Sequence, residues 1–129
     1  MWKTRGFIQS NGKTLISEWY AAQSEEVQEA FLGRMKFLRG LPSNGWKRPY
    51  VGQLRHGSCK GLFEIVISVS GVEHRPVGFF SGEMEFTFLA FATERDGKFD
   101  PIMTCNVAQK RKDIILNDKE RSREFTIYG

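Results

Sequence analysis

Glu64 and Arg75 are a carboxylate and a guanidinium spaced so that they can share one face of a β-sheet. Both lie in β-prone runs, Phe63-Glu-Ile-Val-Ile-Ser-Val69 and Val72-Glu-His-Arg-Pro-Val-Gly-Phe-Phe80, joined by Ser70-Gly71. If Ser70-Gly71 is a two-residue hairpin loop, Val66 falls opposite Arg75 and Glu64 lies diagonal to it. That patch offers a group able to carry a proton beside one able to grip an oxyanion through paired N–H donors. The plainer reading of the same residues is a cross-strand ion pair. His56 and His74 are the histidines that could serve as an acid, although alternation sends His74 to the face opposite Arg75, and a lone histidine is more often structural.

A second chemical signal is the distribution of charge. From Phe31 through Phe63 the sequence has no Asp or Glu, while Arg34, Lys36, Arg39, Lys47, Arg48, Arg55 and Lys60 all fall there. Such a segment is the footprint of a polyanion-binding surface, with Lys47, Arg48, Arg55 and Lys60 as its candidate RNA contacts. A basic helix end followed by a solvated loop would give the same run. Trp46, between basic residues, could stack on a base or serve as a buried loop anchor. The two cysteines, Cys59 and Cys105, are too few and too far apart to suggest a disulfide framework and are expected to be ordinary thiols. His56-x-x-Cys59 is at most half of a metal motif and has no second half, so neither a metal nor a cofactor is expected.

The elements that must position these residues follow from periodicity. Residues 60–92 read as an antiparallel meander of three runs, with turns at Ser70-Gly71 and Ser81-Gly82. Phe63, Ile65, Ile67 and Val69 form its core face, and Pro76 in the central run predicts a bulge near residues 74–76. Trp2 to Gln9 reads as a short first strand, and Leu15, Trp19 and Ala22 mark a short helix from Thr14 to Ala22. Ser24 caps a second helix whose apolar face is Val27, Ala30, Phe31, Met35, Leu38 and Leu41, and the helical hairpin should lie on the side of Ile65 and Ile67. Pro42, Gly45 and Pro49 make a loop. Asp100 and Pro101 read as the cap and first residue of a C-terminal helix to about Leu116, with Ile102, Cys105, Ala108 and Ile115 inward. After it, Phe125-Thr-Ile-Tyr128 is β-prone.

A length of 129 residues suits one domain, and 40% hydrophobic residues with eleven Phe suit a packed core rather than disorder. No run approaches the ~18 apolar residues of a membrane span, and Lys3 and Arg5 are followed by no apolar block. The expected compartment is therefore the cytoplasm, with no membrane partner.

Several short stretches occur in a telling order: Ser17-Glu-Trp-Tyr20, Arg48-Pro49 before Leu54, Gly61-Leu-Phe-Glu-Ile65, His74-Arg75 leading into Phe79-Phe80, Phe88-Leu89 through Phe91, and Pro101 with Ala108-x-x-Arg111. This arrangement resembles the RelE/ParE toxin superfamily, in particular its HigB-like, phage-derived branch. The resemblance implies an α+β domain in which a helical hairpin packs on an antiparallel sheet with a C-terminal helix. It implies a type II toxin neutralised by a cognate antitoxin, and a ribosome-dependent mRNA endoribonuclease as its activity. The alternatives are a non-enzymatic ParE-like toxin that binds gyrase and a degenerate toxin-like phage protein that only binds a partner. The arginine that relatives carry in the Gly61-Leu-Phe-Glu-Ile-Val66 pattern is replaced by Val66, and their terminal Lys-Lys motif is represented only by Arg95. RNA cleavage through its own 2′-OH needs a base, an acid and positive donors for the developing phosphorane charge. On this reading Glu64 is the base, Arg75 clamps the phosphate, Arg95 and Lys60 add charge, and His56 or His74 is the acid.

Overall fold

The computed structural model describes residues 1–126 and is an α+β fold: three α-helices on a mostly antiparallel sheet of eight strands. Strand β1 (Lys3–Phe7) is followed by helices α1 (Leu15–Ala22) and α2 (Glu25–Arg39). Then come β2 (Val51–Gln53), β3 (Phe63–Ile65), β4 (Ile67–Val69), β5 (Val72–Gly82), β6 (Glu85–Arg95), β7 (Lys98–Asp100), α3 (Thr104–Asn117) and β8 (Ser122–Glu124). The sheet runs β2-β3-β5-β6-β1-β8, with β4 on β5 and β7 on β6. Strand β1 lies parallel to β6; the other described pairings are antiparallel.

Both helices of the hairpin are capped as their sequences dictate. Thr14 and Ser24 accept from the backbone N–H groups of Ser17 and Val27, satisfying donors that a helix start leaves open. Helix α2 buries Val27, Phe31, Met35 and Leu38 against Ile65, Ile67, Val69, Phe86 and Phe88. In α1 the fully buried residue is Ile16, with Trp19 and Tyr20 packed beside it. Helix α3 covers the opposite face, where Cys105, Ala108 and Ile115 join Phe7, Leu62, Val77, Phe79 and Leu89.

The hairpin register at Ser70-Gly71 holds, with Val69 opposite Val72 and Ile67 opposite His74. Both turn residues have positive φ, 49° and 81°, as a primed two-residue turn requires. Pro76 does not produce the expected bulge. Pro76 has no N–H to give Ile65 opposite it, and the first run is split into β3 and β4 at Val66, whose N–H bonds on the β2 side to Tyr50 O at 2.9 Å. The register slips elsewhere, between Val77 and Gly78, where Leu89 of β6 is extra; this turns both Leu89 and Ala90 toward α3. A Cβ on Gly78 would stand 2.2 Å from Thr87 O, so glycine alone permits the close approach.

Three further expectations are corrected. The second turn is not Ser81-Gly82, because Gly82 pairs with Glu85 and the turn is made by Glu83 and Met84, with Met84 at φ 50°. Asp100 and Pro101 do not open the last helix. Asp100 pairs with Thr93 as the end of β7, so α3 starts at Thr104 and leaves Ile102 exposed. The cysteines are not free: Cys59 and Cys105 form a disulfide. Phe125 is buried after β8, while Ile127 and Tyr128 of the β-prone tail lie outside the described residues. Among the described residues no helix is long and apolar enough to cross a membrane.

Candidate functional site

Strand alternation and register bring Glu64 to the face that α3 covers only in part. Glu64 stands opposite Gly52 of β2 and Val77 of β5, and its side chain is 4% exposed. Arg75, one diagonal step away, places Nε 3.7 Å from Glu64 Oε1, and Arg48 reaches in from the loop before β2 with Nη2 3.3 Å from Oε2. Gly52 makes that reach possible. A Cβ there would meet the Arg48 guanidinium at 2.6 Å, so the planar group lies across bare backbone on its way to the carboxylate.

Arg75 is held more tightly than a free clamp. Its Nη1 donates to His74 O at 2.9 Å and its Nη2 to Glu73 Oε1 at 2.9 Å, with Glu94 Oε1 at 3.8 Å. Glu73 is in turn fixed by Ser68 Oγ at 2.7 Å. Glu64 Oε1 and Arg75 Nε face one another without a hydrogen bond, since 3.7 Å is too long for one. Burial pushes the Glu64 carboxyl above its ordinary range and the charge of Glu94 adds to this, while Arg75 and Arg48 oppose it. The result is a carboxyl poised to exchange a proton nearer neutrality than a surface glutamate.

Above this floor opens a cleft of about 760 Å³, lined by Lys47, Arg48, Arg55, His56 and Lys98 as cations or potential cations, by Glu64 and Glu94, and by the apolar Leu54, Phe63 and Phe99. The volume falls within the usual range of small-ligand clefts. Lys47, Arg48 and Arg55 thus line the same cleft as Glu64. Lys60 and Arg95 do not line the cleft. Lys60 sits in the turn before β3, where its carbonyl accepts from Gln109, and Arg95 pairs with Lys98 at the end of the β6–β7 hairpin. His74 lies on the opposite face from Arg75, opposite Ile67, with its pKa depressed by burial and by the Arg75 charge. Of the two histidines, His56 is the one in the cleft.

The acid-free run therefore divides in two. Arg34 and Arg39 secure α2, donating to Val66 O and Trp2 O, with Arg34 also lying over the Tyr50 ring. The loop cations Lys47, Arg48 and Arg55 face the cleft. Trp46 is the buried anchor rather than a base platform: it is 6% exposed, stacks on Trp2 at 4.2 Å and donates to Leu38 O. Sequence reasoning passed over Glu94 and Lys98. The Asp96-Gly97 turn was the signal for them, since folding β7 back on β6 returns both to the cleft. No group of three or more metal-ligating side chains is assembled among the described residues.

No protein-family model, curated protein or solved structure matches this chain significantly.

Proposed function

We propose that the chain is a RelE-like, type II toxin that cleaves mRNA on the ribosome and is neutralised by a cognate antitoxin. The observation that carries this reading is the buried Glu64, held between Arg75 and Arg48 at the floor of a cleft whose rim is Lys47, Arg55, His56 and Lys98. Single-stranded RNA brings a phosphate to the rim cations and a 2′-OH to the floor. Glu64 takes the 2′-OH proton, a role favoured by its raised pKa, and Arg48 stabilises charge on the phosphorane. Arg48 suits that duty better than Arg75 because its side chain is 65% exposed and Arg75's is 8%. Arg75 instead tunes and orients Glu64 as a positioning residue. His56 protonates the departing 5′-oxygen. Three helices on a mostly antiparallel sheet are compatible with such a domain.

One observation favours a second reading, in which the chain only binds a partner. Arg75 is already engaged by Glu73, Glu94 and Glu64, and Val66 stands where the RelE-like pattern carries an arginine. Growth distinguishes toxin from inert fold. Expression of the chain alone should arrest growth, and co-expression of a small DNA-binding protein from the adjacent reading frame should restore it. Unimpaired growth at high soluble expression would remove the toxin reading.

A further inference from the structure

Cys59 and Cys105 are 46 residues apart, and the surroundings of their two sulfurs differ. Cys105 is the second residue of α3 and is 2% exposed. Cys59 is half-buried and lines the wall of the cleft. It belongs to the tip that joins β2 to β3, closed at its base by Leu54 N–H bonding to Leu62 O at 2.9 Å. The tip carries Arg55, His56 and Lys60, and Gly57 and Gly61 within it have φ of 55° and 85°. Beside the disulfide, Gln109 of α3 ties it down by donating to Ser58 O and Lys60 O at 2.9 and 2.8 Å.

We infer that Cys59–Cys105 is a thiol-exchange site at which a dithiol reductant releases the cationic wall of the cleft from α3. One thiolate of the reductant attacks Sγ of Cys59, the more exposed residue of the two. A bond forms between the two sulfurs, the Cys59–Cys105 bond breaks, and Cys105 leaves as a thiolate with the electron pair. Its place in the first turn of a 14-residue helix suits that departure, because the positive end of the helix stabilises a thiolate and a lower thiol pKa makes a faster leaving group. The second thiol of the reductant then attacks the reductant's own sulfur in the mixed disulfide and expels Cys59. Two electrons pass to the protein, both cysteines take up protons, and the reductant ends as a disulfide. The tip is left with hydrogen bonds at exposed positions, which open at low free-energy cost, so Arg55 and His56 become mobile. None of this requires the ligand of the cleft to be RNA.

The full oxidised chain, exposed briefly to glutathione, quenched with an alkylating agent and mapped by peptide mass, should carry glutathione on Cys59 and the alkyl group on Cys105. Glutathione on Cys105, or equally on both, overturns the assignment. In dithiothreitol, trypsin cleavage after Arg55 and Lys60 should accelerate roughly tenfold, while cleavage after Lys36 in α2 stays constant. An unchanged rate at the tip, or an equal rise at Lys36, overturns the release. Cys105→Ser without reductant should be cut at the tip as fast as the reduced wild type; cutting as slow as the oxidised wild type contradicts the inference.

Discussion

The two faces of the β3–β5 strand pair are made from alternate residues of the same segments, yet they carry opposite chemistry. On one face Ile65 and Ile67 meet α1 and α2 in an aromatic-rich core where Phe31 touches Trp19, Phe88 and Phe125. On the other, α3 covers Leu62, Val77 and Phe79 but stops short of Glu64, which lines the cleft, and of Arg75 beside it. A face closed by two helices can be apolar throughout. A face closed by one helix leaves a strip of sheet where charges are buried by neighbouring strands and by each other, and that strip is where proton chemistry becomes possible.

The contrast can be broken most forcefully from the apolar side. Phe31 is fully buried at the centre of its cluster, and Phe31→Ala should cost about 3–5 kcal/mol of stability by chemical denaturation. A cost well below that would mean the helical hairpin does not close the face as described.

On the charged side, Arg75→Ala should cost about 3 kcal/mol, because it leaves Glu64 buried beside a removed partner. The value expected of an exposed cross-strand pair is only about 0.2–1 kcal/mol, so urea melts decide which environment Arg75 occupies. Arg48→Ala, by contrast, removes a side chain that is 65% exposed and should change stability by less than about 1 kcal/mol.

Smaller but more specific is the pH dependence that Glu64 confers. A carboxyl whose pKa is higher in the folded chain binds more protons folded than unfolded, so its contribution to stability is lost as pH rises from the ordinary carboxylate range through the raised value. Glu64→Gln should remove that loss. The difference between wild-type and Glu64→Gln unfolding free energies, measured by denaturant titration from acid to neutral pH, should therefore move against wild type as pH increases. A difference that is flat or of opposite slope would show that the pKa is not raised.

What could be read from the sequence was local. The register at Ser70-Gly71 followed from a turn pair and alternation, so the meeting of Glu64 with Arg75 was legible in the residues alone; so were the α2 stripe and its Ser24 cap. The misses concern residues whose place is set by distant partners. Cys59 meets Cys105 because α3 crosses the β2–β3 tip, which no spacing encodes. Asp100 looks like a helix cap but is claimed by pairing with Thr93, and the second turn moved to Glu83-Met84 because Gly82 was needed opposite Glu85. Lys60 and Arg95 lie off the lining of the cleft, since neither motif position nor charge specifies which way a hairpin end turns.

The most direct test of the account is ribosome-dependent cleavage of a reporter mRNA, followed by primer extension, for wild type and Glu64→Gln in both oxidised and reduced preparations. Glutamine keeps the shape of the side chain but cannot take a proton, so the account predicts cutting by wild type and a loss of about 10²-fold or more in Glu64→Gln at undiminished thermal stability. Full-rate cleavage by a folded Glu64→Gln chain, or no cleavage by wild type in either redox state, would contradict it.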